Sequence, residues 1–215
     1  MTESSIRIFT HGPERPDALV LMLHGVGSDG ADLISLAPLW SAAAPGALFL
    51  SPDAPEPCDM APFGRQWFSL KDRDPQVLLQ EVRRAAPTLQ KSISTHLAQY
   101  QVSYSRLVLM GFSQGSMMAL FAAPRLPSAV AGVMAYSGAL LWEPEGAQHR
   151  PPVLLIHGEA DDVVPLSAHR YAKQTLAANG FSVAGHTTPG LGHGIDQAGI
   201  EAGAAFLAQA LPPLR

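Results

Sequence analysis

Apolar positions along this chain mostly gather into short continuous runs rather than alternating with polar ones. The runs are Leu19–Leu23, Ala47–Leu50, Arg106–Met110, Val130–Tyr136, Val153–His157 and Ser182–Thr187. Strands covered on both sheet faces read this way, because neither face meets water. Between the runs lie longer stretches with helical character: Ala31–Ala44, Pro75–Tyr100, Ser113–Ala123, Leu166–Asn179 and Ile195–Leu211. Asn179-Gly180 supplies a helix stop for the fourth. Such alternation predicts an α/β fold with a mainly parallel sheet and right-handed crossovers. Ile6–Phe9 is expected to add an antiparallel edge strand. No internal repeat or low-complexity linker divides the sequence, so a single domain over residues 1–215 is expected. One long irregular segment, Ser51–Asp74, carries Pro52, Pro55, Pro57 and Pro62 together with Met60, Phe63, Trp67 and Phe68. A loop of this length with aromatic content is expected to form a pocket wall or partial lid. The competing expectation is that its aromatics pack into the core.

Chemistry enters at Gly111-Phe112-Ser113-Gln114-Gly115. A serine between two glycines, with an apolar strand before it and an apolar Ala-rich helix after it, is the nucleophile elbow of an α/β-hydrolase. The turn is too sharp for side chains at Gly111 and Gly115, and it pushes the serine hydroxyl toward the positive end of the following helix. A serine hydroxyl needs a base, and the base needs an acid to orient it. This fold supplies them in the order serine, acid, histidine. Asp161 lies just past the strand ending at His157, and His193 lies within Gly190-Leu191-Gly192-His193-Gly194 after the last strand. Both fall at carboxyl ends of strands, where open parallel sheets place ligands. A second loop, His24-Gly25-Val26-Gly27, follows the Leu19–Leu23 strand. With Gln114 it is expected to supply oxyanion donors from backbone N–H groups, Val26 being the residue chosen.

Each assignment has rivals. Asp162 and Glu159 compete with Asp161, and spacing alone splits Asp161 and Asp162 almost evenly. His157 and His186 compete with His193. His157 ends a strand and is expected to be packed or backbone-bonded, and His186 is committed to a strand face. His11, His96, His149 and His169 are expected to face solvent. Gly25, Gly27 and Gly30 match the spacing of a dinucleotide loop, and Asp53 follows the second strand as such a site requires. The oxyanion loop explains the same glycines. No zinc-type spacing of histidines or cysteines occurs, so no metal and no cofactor are expected. The pocket is expected from Met60, Phe63, Trp67, Phe68 and Leu140, an apolar set suited to short or medium uncharged acyl chains.

Composition narrows the classes. Hydrophobic residues make up 47% of the chain and charged residues 15%, as in a compact enzyme rather than a disordered chain. The net charge of -4 with no basic block gives nucleic acid no electrostatic footing. Cys58 is the lone cysteine, which excludes an intrachain disulfide and points to a reducing compartment. No apolar stretch reads as a membrane span, and the first residues lack the pattern of a secretory signal. A cytoplasmic enzyme acting on a small ester or thioester, as monomer or homodimer, is the expectation.

Leu23-His24-Gly25-Val26-Gly27, the G-F-S-Q-G elbow, His157-Gly158-Glu159-Ala160-Asp161-Asp162-Val163-Val164-Pro165 and Gly192-His193 together resemble the phospholipase/carboxylesterase family, which includes bacterial carboxylesterases and acyl-protein thioesterases. The resemblance runs from about Leu19 to Leu211. It implies Asp161 as the acid, because the family's aspartate precedes x-x-V-P, with His193 as base and Val26 and Gln114 as oxyanion donors. Trp67-Phe68 resembles the family's Trp-Phe element beside the acyl pocket. Ser69 stands where the thioesterases usually carry aspartate, and Val26 where leucine is common.

Overall fold

A computed structural model describes residues 6–143 and 145–214. Seven strands form the main sheet in the order β1-β3-β2-β6-β7-β8-β9. They are β1 (Ile8–His11), β2 (Ala18–Leu23), β3 (Ala47–Pro52), β6 (Leu107–Phe112), β7 (Gly132–Tyr136), β8 (Val153–Gly158) and β9 (Val183–Thr188). All pair in parallel except β1, which runs antiparallel to β3 from Ile8 opposite Pro52 to His11 opposite Phe49. The edge strand cannot pair with β2, whose two sides are already taken by β3 and β6.

Alternate residues of the central strands feed two cores. Leu19, Leu21 and Leu23 face one, and Ala18, Val20 and Met22 face the other. Helices α3 (Pro75–Tyr100), α4 (Gln114–Ala122) and α5 (Leu166–Ala178) cover the first. Helices α1 (Gly30–Leu33), α2 (Ala37–Trp40) and α6 (Gln197–Ala210) cover the second. This is the α/β-hydrolase arrangement, with no large cap domain.

Three expectations are corrected. The single helix predicted over residues 31–44 is broken into α1, a 3-10 turn at Ile34–Leu36, and α2. Pro38 sits in the first turn of α2, where a proline's missing N–H is harmless at a helix start but cannot continue an incoming ladder. The 51–74 segment is not featureless. It begins inside β3 and folds into a small antiparallel hairpin of β4 (Glu56–Pro57) and β5 (Arg65–Gln66). Arg65 braces this hairpin, its guanidinium donating to the carbonyls of Ala54 (2.8 Å) and Pro55 (2.6 Å). Finally, His96 and His169 are buried rather than solvent-facing. Both stand on the core-facing stripes of their helices, with Leu89, Ile93 and Leu97 on α3 and with Ala172 and Leu176 on α5.

Candidate active site

The turn between β6 and α4 places Ser113 at φ 54°, ψ −116°, a conformation a non-glycine residue adopts only when its surroundings enforce it. The enforcement is visible at the flanking glycines. A Cβ on Gly115 would stand 1.8 Å from the Leu23 carbonyl oxygen, and one on Gly111 would stand 2.3 Å from the Gly115 carbonyl oxygen. The elbow is therefore wedged directly against the end of β2. The Ser113 N–H donates to the Tyr136 carbonyl at 2.9 Å, which ties the turn to β7 as well. Among the described residues none hydrogen-bonds the Ser113 hydroxyl, which lines a cavity of about 190 Å³ with His24, Gly25, Val26, Phe112, Val163 and His193.

Asp161 and His193 come from different loops, and close backbone packing joins them. The Ala160 N–H donates to the Leu191 carbonyl, and the Glu159 N–H to that of Thr188, both at 2.9 Å. Gly158 lies so near the Leu191 and Gly192 carbonyls that a Cβ there would approach both at 2.3 Å. The result is a 2.7 Å hydrogen bond from His193 Nδ1 to Asp161 Oδ2. The other oxygen, Oδ1, accepts from the N–H groups of Val163 (2.9 Å) and Val164 (2.8 Å). Burial pushes the Asp161 carboxyl upward most strongly. His193 and the two N–H groups together outweigh it and hold the group below its ordinary value. Asp162 points to solvent. His157, the rival histidine, is buried at the strand end, its Nε2 donating to the Val164 carbonyl at 2.8 Å and lying 3.4 Å from Asp161 Oδ2. His186 sits on edge strand β9.

The His24–Gly27 loop is braced from both sides. His24 accepts the Ala54 N–H at Nε2 (2.9 Å) and meets the Gly25 carbonyl at Nδ1 (2.7 Å), so its proton resides on Nδ1. Burial holds the ring below its ordinary pKa, in keeping with a neutral structural role. The Gly27 N–H donates to the Arg65 carbonyl, and the Arg65 N–H to that of Ser28, each at 2.9 Å. Gln114 opens α4, where an N–H has no acceptor one turn back. The Val26 N–H finds no acceptor among the loop and turn hydrogen bonds of the described residues. Asp53, the acid of the dinucleotide alternative, is already committed to the Gly30 N–H (3.0 Å) and to Arg7 Nε (2.7 Å).

The expected pocket residues separate. Met60 and Phe63 project into solvent at 51% and 73% exposure and line neither the Ser113 cavity nor the neighbouring groove. Trp67 and Phe68 are buried in the core. The Gln114 side chain holds them there, accepting the Trp67 N–H (2.9 Å) and donating to the Phe68 carbonyl (2.6 Å), while Trp67 Nε1 donates to the His24 carbonyl (2.9 Å). They pack behind the His24–Gly27 loop, and neither lines the Ser113 cavity or the Leu140 groove. Leu140 does line an apolar groove of about 610 Å³, with Leu78, Leu79, Leu141, Trp142 and Pro165. Two residues escaped the sequence reading. Phe112 lays its ring against that of His193, centroids 4.9 Å apart. Ser137 Oγ donates to the Gly194 carbonyl (3.2 Å), steadying the loop that carries His193. No three or more His, Cys, Asp or Glu side chains gather as metal ligands would among the described residues.

Residues 7–211 match the phospholipase/carboxylesterase family, and the chain belongs to it. It is a hydrolase of the carboxylic ester class. Among individual relatives, it is 29% identical to esterase YpfH of Escherichia coli K12 over 201 residues, covering 93% of this chain and 86% of that one. It is equally 29% identical to acyl-protein thioesterase 1 of Gibberella zeae, over 91% of this chain and 92% of that one. The crystal structure of esterase PE8 superposes with a TM-score of 0.90 at 35% identity, covering 96% of this chain and 99% of that chain. No helix among the described residues is long and apolar enough to cross a membrane.

Proposed function

We propose that this protein is a serine carboxylesterase that cleaves short to medium uncharged acyl esters through an acyl-enzyme. Ser113 attacks the acyl carbonyl and His193 takes its proton. Asp161 fixes the His193 tautomer and stabilises the imidazolium. The developing oxyanion rests on the N–H groups of Val26 and Gln114. His193 then protonates the leaving oxygen and activates the water that releases the acid. The observation that carries this reading is the 2.7 Å Asp161–His193 contact beside a strained serine in the same cavity. The groove floored by Leu140 and walled by Leu78, Leu79 and Trp142 takes the acyl chain. It adjoins the nucleophile: a Cβ on Gly138, next to Ala139 of the groove, would lie 2.9 Å from the Ser113 carbonyl oxygen. Residues 51–74 serve as the wall behind the oxyanion loop within one α/β-hydrolase domain. The single cysteine, Cys58, suits a reducing cytoplasm.

Acyl thioester hydrolysis is the second reading, favoured by the thioesterase relatives and the size of the groove. A fluorophosphonate probe should label the native protein and not Ser113→Ala, and kcat should fall by about a thousandfold or more in that variant. Near-normal turnover by Ser113→Ala would refute the mechanism. Nitrophenyl esters of graded length, set against acyl thioesters, decide between the two readings.

A further inference from the structure

An exposed carboxylate, Asp32, lines the same cavity as Ser113 and His193. After the tetrahedral intermediate forms, the leaving oxygen must take its proton from His193, so the leaving group lies on the His193 side of the serine. His193 lines the smaller cavity, together with Ser113, and does not line the larger Leu140 groove. The smaller cavity is walled by Val26, Leu33, Phe112 and Val163, and its outer rim carries Ser28 and Asp32. Asp32 is the only carboxylate among the described residues that line it. Ser28 Oγ donates to Asp32 Oδ2 at 2.8 Å, while Oδ1 accepts from no side chain or loop amide among the described residues. Arg7 pairs with Asp29 and Asp53, and no ion pair among the described residues includes Asp32. A carboxylate that is in no ion pair among the described residues therefore faces the path by which an alcohol or thiol departs, a few residues from the oxyanion loop. The acyl groove differs: among the described residues that line it, Arg73 is the only charged side chain.

We infer that Asp32 is a specificity-determining residue that selects the leaving group, favouring alcohols that bear a positive charge and disfavouring anionic ones. The inference rests on the esterase reading above, because it takes His193 as the proton donor to the leaving oxygen. The charge acts at the rim, where water screens it, so its effect is a modest bias that weakens with salt.

The test compares three butyrate esters that share one acyl group: choline butyrate, its uncharged isostere 3,3-dimethylbutyl butyrate, and the anionic 3-sulfopropyl butyrate. The readout is the ratio of kcat/KM between charged and neutral esters, not the absolute rate. In low salt the native enzyme is expected to favour choline over the isostere by about fivefold, a size typical of an exposed charge pair. In Asp32→Asn the ratio should fall close to one, and the sulfonated ester should gain relative to the isostere. Ser28→Ala keeps the carboxylate and should keep the preference. An unchanged ratio in Asp32→Asn overturns the inference, as does loss of the ratio in Ser28→Ala, which would trace it to loop shape. Hydrolysis of the neutral isostere by native enzyme and its loss in Ser113→Ala report separately on the parent mechanism.

Discussion

Replacing Asp161 by asparagine removes one charge from the site and reverses one hydrogen bond. In the native arrangement Oδ1 accepts two backbone N–H groups, from Val163 and Val164, and Oδ2 faces His193 Nδ1 at 2.7 Å. An asparagine keeps the first two bonds by turning its carbonyl toward them. That choice forces its NH₂ toward His193 Nδ1, which must then become an acceptor and carry its proton on Nε2. An Nε2 bearing a proton cannot take one from Ser113. The same exchange in a Ser-His-Asp triad lowers kcat by about ten-thousandfold, close to 5.5 kcal/mol of barrier. Folding should suffer far less. One charge-assisted bond of about 1.5–3 kcal/mol is lost, and relief from burying a carboxylate offsets part of it. The assay is kcat on p-nitrophenyl butyrate, normalised to folded protein by thermal unfolding, for Asp161→Asn and Asp162→Asn side by side. Asp162 is solvent-exposed, and its variant should stay within about twofold of the parent, as surface changes do. A folded Asp161→Asn enzyme within tenfold of the parent, or an equal loss at position 162, would refute the assignment.

Acid should destabilise the fold through buried histidines. Burial, reinforced by the charges of His157, Lys173 and Arg170, pushes His169 down to about 4, whereas an unfolded histidine titrates near about 6.5. Between those values the unfolded chain binds more protons, so stability falls as pH drops across the window and this contribution levels off below the folded value. His169→Gln should shrink the loss of unfolding free energy between pH 7 and pH 4.5 by on the order of 2 kcal/mol in urea titrations, and parallel curves for the two proteins would refute it. Trp142 and Trp67 should behave oppositely. Trp142→Ala, in the groove proposed for the acyl chain, should cut kcat/KM for octanoate more than for acetate esters, each covered methylene counting for about 0.8 kcal/mol. Trp67→Ala should instead cost about 3–5 kcal/mol of stability and affect all chain lengths alike, and a chain-length effect at Trp67 would return it to the pocket wall.

Much of the architecture was legible because it is written in local pattern. Unbroken apolar runs mark strands covered on both faces, and five such runs became buried parallel strands, while the mixed run Ser182–Thr187 became the half-exposed edge strand β9. The 26-residue helix α3 was bounded correctly at Pro75 and Tyr100. The elbow was legible for a steric reason: with Gly111 and Gly115 packed against backbone carbonyls, few other residues could occupy those positions. The juxtaposition of Asp161 with His193 was a different matter. Spacing alone left Asp161 and Asp162 level, since both lie in one loop and only the clasp between residues 158–160 and 188–192 turns one carboxylate inward.

The burial of two histidines is written in helical spacing. His96 falls three residues after Ile93 and one before Leu97, on the apolar stripe of α3. His169 stands three residues before Ala172 and seven before Leu176. A histidine on an apolar stripe is carried inward by its neighbours, and its type alone was a poor guide to exposure.

The aromatics of the 51–74 segment were misplaced for a deeper reason. Nothing local distinguishes Trp67 and Phe68, which turn inward, from Phe63, which turns out. The deciding contacts come from Gln114, 47 residues away from Trp67. Its side chain grips the Trp67–Phe68 backbone while its own N–H is free at the head of α4. Trp67 in turn holds the His24 carbonyl, one link from the loop that presents the Val26 N–H. The two donors proposed for the oxyanion are thus joined by a chain of hydrogen bonds running through a buried tryptophan. A side chain lost from that chain would loosen the spacing of both donors at once, which is why a residue that never meets substrate can be as demanding of its identity as one that does.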